Sequence, residues 1–112
     1  MTRMRNELNT TSPLTAREVC LVLTEVALGK RIMMRSTIQS WNQIYHGLMP
    51  VEIDGWRLTL FNDCDTLDYC EYSRSPDGRV GTLELWQREG VDPIDLLSAS
   101  ESEQLERLLA AL

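Results

Sequence analysis

The 112-residue chain predicts an α+β domain: two N-terminal helices, a four-stranded antiparallel meander and C-terminal helices. Three observations carry that expectation. Asp54-Gly55 stands between apolar runs, the strongest short-range signal for a two-residue hairpin. Ser75-Pro76-Asp77-Gly78 supplies a second turn, with proline at its second position and glycine at the left-handed position that follows. Helix-capping signatures and helical periodicity lie only outside the stretch from Val51 to Trp86.

Residues 1–12 carry no periodicity and read as a flexible tail, which leaves 13–112 as a single domain. Thr15-Ala16-Arg17-Glu18 is a capping box, flanked by Leu14 and Val19 as a hydrophobic staple. The helix it opens runs to Gly29, with Ala16, Val19, Val22, Leu23 and Val26 as its apolar stripe. Leu21 and Leu28 point away from that stripe, so the helix is either sandwiched inside the domain or used in a weak homodimer. A second helix is expected over 37–46, with Ser36 as cap, Gly47 as stop and Ile38, Trp41, Ile44, Tyr45 and Leu48 toward the core. Pro50 then turns the chain into the first strand.

The Asp54-Gly55 turn sets Ile53 opposite Trp56, Glu52 opposite Arg57 and Val51 opposite Leu58. Val51, Ile53, Trp56, Leu58 and Leu60 then share one face. The second turn pairs Glu71 with Leu83 and Tyr69 with Leu85, so Leu67, Tyr69, Leu83 and Leu85 are expected to join that face. The reverse face would carry Cys70, Tyr72, Val80 and Trp86, which is too apolar for an entirely solvated surface. Asp92-Pro93 caps a short helical turn, and Ser100-x-x-Glu103 is taken as the start of the last helix, with Leu105, Leu108, Leu109 and Leu112 on one side.

Trp41-Asn42, Ile44-Tyr45, Gly47-Leu48, the Val51–Trp56 string VEIDGW, the Asn62–Cys70 string NDCDTLDYC and the Ser75–Arg79 string SPDGR resemble a family of small uncharacterised bacterial proteins, a domain of unknown function. The resemblance runs from about Leu14 to Leu112. It implies a single small intracellular domain and brings no activity or site residues with it.

Charge narrows the choice of partner. The total is −6, but residues 1–50 hold six Lys/Arg against three Asp/Glu, +3, and residues 51–112 hold five against fourteen, −9. So acidic a second half does not suit a phosphate backbone, and a basic protein is the partner expected, with no nucleic acid. No apolar run reaches the ~20 residues of a membrane span, and Arg3 and Arg5 precede no apolar segment of the kind a secretory signal needs. Three cysteines at unrelated spacings, Cys20, Cys64 and Cys70, suit a reducing cytoplasm.

Two sets of residues are candidates for function. The first is the acidic loop: Asp63, Asp65, Asp68 and Glu71, with Tyr69 and Tyr72 beside them, as a surface for a basic partner. An EF-hand is excluded there, because counting from Asp63 puts Leu67 at the fifth position and Asp68 where glycine is required. The second set is a pocket near Trp41, Tyr45, His46, Cys64 and Cys70, which would serve a small molecule or an enzyme. His46 with Cys64 and Cys70 has neither the ligand number nor the spacing of structural zinc, and no nucleophile–base motif accompanies them, so neither metal nor cofactor is expected. The second predicted helix has no Lys or Arg, which removes a helix-turn-helix. The expectation is therefore a non-enzymatic interaction module.

Overall fold

The computed structural model describes residues 12–112; the tail expected over 1–12 lies, except for Ser12, outside the described residues. These residues form α1 (Ala16–Ala27), β1 (Met33–Arg35), α2 (Trp41–Ile44), β2 (His46–Ile53), β3 (Trp56–Asp63), β4 (Thr66–Arg74), β5 (Val80–Thr82), α3 (Leu83–Glu89), a 3-10 turn (Pro93–Leu96) and α4 (Ala99–Ala111). The strands make one antiparallel sheet of five, in the order β1-β2-β3-β4-β5. The fold is thus α+β as expected, with one strand more than expected, because β1 was not foreseen.

The capping box of α1 is present. Glu18 N–H donates to the Thr15 hydroxyl at 3.1 Å, and Thr15 N–H donates to the Glu18 carboxylate at 2.9 Å. All five residues of its stripe are buried, and Leu14 and Val19 are fully covered. Leu21 and Leu28 are exposed, so the sandwiched version of the helix does not hold. At the far end, Arg31 bonds Glu25 at 2.6 Å and lies 3.7 Å from Asp54 of the first hairpin turn.

The expected helix over 37–46 shrinks to α2. Its cap is Ser40, not Ser36: the Ser40 hydroxyl accepts from Gln43 N–H, and Gln43 reaches back to Ser40 N–H. Tyr45 ends it with positive φ, a conformation no helix continues. Trp41 is buried and Ile44 packs on the core, but Ile38, Tyr45 and Leu48 are exposed, contrary to the stripe assigned to them. His46 and Pro50 are strand residues. Pro50 is tolerated because its carbonyl accepts from Ser36 N–H just where pairing with β1 ends, so no ladder donor is missed.

The first hairpin has the predicted register, from Ile53–Trp56 through Val51–Leu58, extended to His46–Asp63. Asp54 and Gly55 both have positive φ, as the tight turn requires. Val51, Ile53, Leu58 and Leu60 are buried, and Trp56 is half-buried at their margin.

The second hairpin keeps its register only through Tyr72–Thr82, Ser73–Gly81 and Arg74–Val80. Thr82 then caps α3, its hydroxyl accepting from Leu85 N–H, so Leu83, Leu85 and Trp86 are helical rather than stranded. Two bulges, at Asp68 and Glu71, reset β4 against β3: Leu60 faces Cys70 while Thr59 faces Tyr72, and Asn62 faces Leu67 while Phe61 faces Tyr69. Each bulge adds a residue, so Leu67, Cys70 and Ser73 all turn inward. Tyr69 therefore lies on the reverse face, and Cys70 and Trp86 in the core, opposite to expectation.

Trp86 closes the domain. Its indole N–H donates to the Leu14 carbonyl at 3.0 Å, and Leu14 N–H donates to Val80 at 3.0 Å. Arg79 secures the same entry with bonds to the Ser12 and Pro13 carbonyls and a two-pronged pair to Glu18 at 2.9 and 3.0 Å. The last helix starts two residues earlier than expected, with Ser98 and Glu101 as its capping box, and buries Leu105 and Leu109.

Candidate functional site

Helices α1 and α4 cover one face of the sheet. The other is open, and the register arranges it in rows. Leu48, Phe61 and Tyr69 form one row, and Pro50, Thr59, Tyr72 and Thr82 the next. Phe61 and Tyr69 stack with ring centroids 4.8 Å apart, and His46 meets the edge of Phe61 at 5.2 Å. Leu48 is exposed, and Phe61, Tyr69 and Tyr72 keep part of their surface in solvent.

Carboxylates border this aromatic patch along β4 and the Cys64-Asp65 turn, while the next register row on the same face carries Glu52, Arg57 and Arg74. The expected acidic loop is only a two-residue turn, Cys64-Asp65, and the remaining acids of the set are strand residues. Asp68 and Glu71 are the two bulged residues, both exposed beside Tyr69 and Tyr72. Between β4 and α3 a cleft of about 520 Å³ is lined by Asp68, Tyr69, Leu83, Gln87, Asp92 and Asp95. Burial, then the charges of Glu71, Asp68 and Asp92, raise the pKa of Tyr69. Among the described residues none of Asp65, Asp68, Glu71 and Asp95 forms an ion pair.

Asp92 has structural work in that cleft. Its carboxylate accepts from Ile94 N–H at 2.9 Å and from Cys70 N–H at 3.2 Å, bracing the 3-10 turn against the bulged strand. Desolvation nevertheless pushes its pKa up to about 6.

The pocket expected around Trp41, Tyr45, His46, Cys64 and Cys70 divides. Trp41 and Cys70 are core residues, and burial drives the Cys70 thiol far above its ordinary value, so no thiolate forms there. Tyr45, His46 and Cys64 do come together, on the surface at the end of the aromatic row, and Asp63 joins them. His46 Nδ1 lies 3.3 Å from Asp63 Oδ1, and one donor atom from each of His46, Asp63 and Cys64 falls within 4.8 Å of the others. A hydrogen bond with Cys64 raises the pKa of Tyr45.

Sequence reasoning missed Asp63 as a companion of His46, although the Ile53–Trp56 register, continued outward, pairs the two. It also missed Leu83, Gln87, Asp92 and Asp95 as cleft residues, because it carries the last strand through Trp86, where the structure has α3. Gly90, at positive φ just after Glu89, was the helix-stop signal that could have exposed the error.

A family model described as a domain of unknown function, DUF7693, matches residues 13–111. No curated protein and no solved structure matches the chain. No helix among the described residues is long and apolar enough to cross a membrane.

Proposed function

For this chain, which belongs to the DUF7693 family, we propose a non-enzymatic role as an interaction module that binds a basic protein partner across the open face of its sheet. The observation that carries the reading is the bare patch of Leu48, Phe61, Tyr69 and Tyr72, bordered on the β4 side by Asp65, Asp68 and Glu71, which lack basic partners among the described residues. Aromatic side chains at the centre with charge at the rim is the composition that protein interfaces favour. The cleft beside Tyr69 suits a Lys or Arg side chain, which would meet Asp68 and Asp95 there while its stem lies along Leu83. Asp65, Asp68 and Glu71 would speed the encounter by long-range attraction. The other class of function, a small-molecule or catalytic site, rests on the Tyr45–His46–Cys64 group alone.

The test is photo-crosslinking in cells that natively carry the chain, with a crosslinking residue in place of Tyr72 or, as control, Leu21. The reading expects a basic protein trapped at position 72 and not at 21, and lost when Phe61→Ser and Tyr69→Ala are added. Equal trapping at both positions, or trapping that survives those two changes, would defeat it.

A further inference from the structure

We propose that His46, Asp63 and Cys64 form a surface site for a zinc(II) ion, a binding site that goes beyond the partner-binding reading and does not depend on it. The donors are an imidazole, a carboxylate and a thiol, each exposed, and the thiol also hydrogen-bonds Tyr45. His46 and Asp63 are the last register pair of β2 and β3, so the sheet itself holds them side by side. Cys64 follows at once, in a left-handed conformation with φ 55°, and its sulfur lies within 4.8 Å of their donor atoms.

The scaffold beneath is rigid. Asn62, fully buried, donates from its side-chain amide to the Trp41 carbonyl at 2.8 Å, and its side-chain oxygen accepts from Asp65 N–H at 2.7 Å. Cys64 N–H donates to the Tyr45 carbonyl at 2.7 Å. These bonds tie the segment carrying His46 to the turn carrying Cys64, so the donors are grouped before any ion arrives.

Zinc bonds of about 2.0–2.3 Å to N, O and S place tetrahedral ligands roughly 3.3–3.8 Å apart. The His46–Asp63 separation of 3.3 Å is already at that edge length. The widest separation, within 4.8 Å, needs about an ångström of closure from exposed side chains. Thiolate and imidazole favour a borderline-soft cation, whereas calcium and magnesium require sets built from oxygen. Binding takes the Cys64 proton into solvent, leaving a thiolate, a neutral imidazole and a carboxylate on the ion, with the fourth position open to water. A nucleophilic triad is the competing chemistry for these residues. It is less well served, since the exposed turn offers the thiol no shelter from water.

The experiment uses the reduced, metal-free full chain titrated with cobalt(II) as a spectroscopic probe, then with zinc(II) against a chromophoric chelator. The proposal expects a single equivalent bound, with a near-ultraviolet thiolate-to-cobalt charge-transfer band that zinc abolishes. Cys64→Ser should remove the band, while His46→Ala and Asp63→Asn should each weaken zinc binding at least about tenfold. Cys20→Ala should leave both unchanged, and circular dichroism should show every variant folded, since the three ligands are exposed. A band that survives Cys64→Ser, or no binding at micromolar zinc, would overturn the site. So would a metal-indifferent Cys64 alkylated rapidly in a His46-dependent way, which would mark an activated thiol instead.

Discussion

Replacing Gly81 by alanine tests how the ends of the domain are joined. Gly81 lies in β5, where an added Cβ would sit 2.5 Å from the Trp86 ring, 2.9 Å from the Leu14 carbonyl oxygen and 3.0 Å from the Leu14 Cβ. None of these can yield cheaply: Trp86 and Leu14 are both fully buried, and their mutual hydrogen bond fixes the ring. Alanine stiffens the unfolded chain, which favours folding by about 0.4–1 kcal/mol where the backbone suits it. Against that stand ~1–3 kcal/mol for overpacking and ~1–3 kcal/mol if the ring moves and leaves the Leu14 carbonyl unpaired. The net expectation is a loss of about 3 kcal/mol, or roughly 10–20 °C in Tm for a domain of this size. Urea unfolding followed by tryptophan fluorescence and far-ultraviolet circular dichroism would measure it. In a double-mutant cycle Trp86→Phe, which shortens the ring, should make Gly81→Ala cheaper by at least about 1 kcal/mol. A loss within about 0.5 kcal/mol of zero, or additive effects, would refute the reasoning.

The pH dependence of stability should show Asp92. Its folded pKa is raised to about 6, so the folded state holds a proton that the unfolded state has released. Its contribution therefore falls as pH rises from about 4 to 6, by up to ~3 kcal/mol, and is constant above that. Asp92→Asn should flatten that slope in urea titrations at stepped pH, and an unchanged slope would place the titration elsewhere. Glu18 acts in the opposite sense: its hydrogen bonds from Arg79 lower its pKa, so its contribution is present above the ordinary carboxylate range and lost on acidification. Arg79→Lys, which breaks the two-pronged pair, should cost about 1 kcal/mol at neutral pH, since both side chains are partly solvated. The exposed Leu21 and Leu28 leave the homodimer as a proposal. Sedimentation should show concentration-dependent association that Leu28→Glu abolishes with no change in Tm, and a monomer at every concentration would dismiss it.

How much of this could be read from the sequence depended on whether the deciding interaction was local. Asp54-Gly55 determines its own turn, and the turn sets the register of eight residue pairs out to His46–Asp63. The second turn was equally readable, but Thr82 is where β5 gives way to a helix, and the apolar Leu83 and Leu85 suit either period. Ser98-x-x-Glu101 and Ser100-x-x-Glu103 both spell a capping box, and the earlier one captures the longer helix. The bulges at Asp68 and Glu71 had no local signal. Leu67, Cys70 and Ser73 are three apart, a spacing foreign to strands, and only pairing with β3 explains it. That one misreading exchanged the faces of Tyr69 and Cys70, and with them the membership of the site. Trp86 on Leu14 joins residues far apart in the chain, so no short window contains it.

The central claim is that acidic residues on the open face draw in a basic partner. The most direct test is the association rate of the crosslinked partner across ionic strength, for the native chain and for a variant carrying Asp65→Asn, Asp68→Asn and Glu71→Gln. Asp63 is left intact, so that the proposed metal site is undisturbed. The account predicts a native rate that falls steeply with salt and a variant about tenfold slower at low salt with a much flatter dependence. Equal rates with equal salt dependence would contradict it.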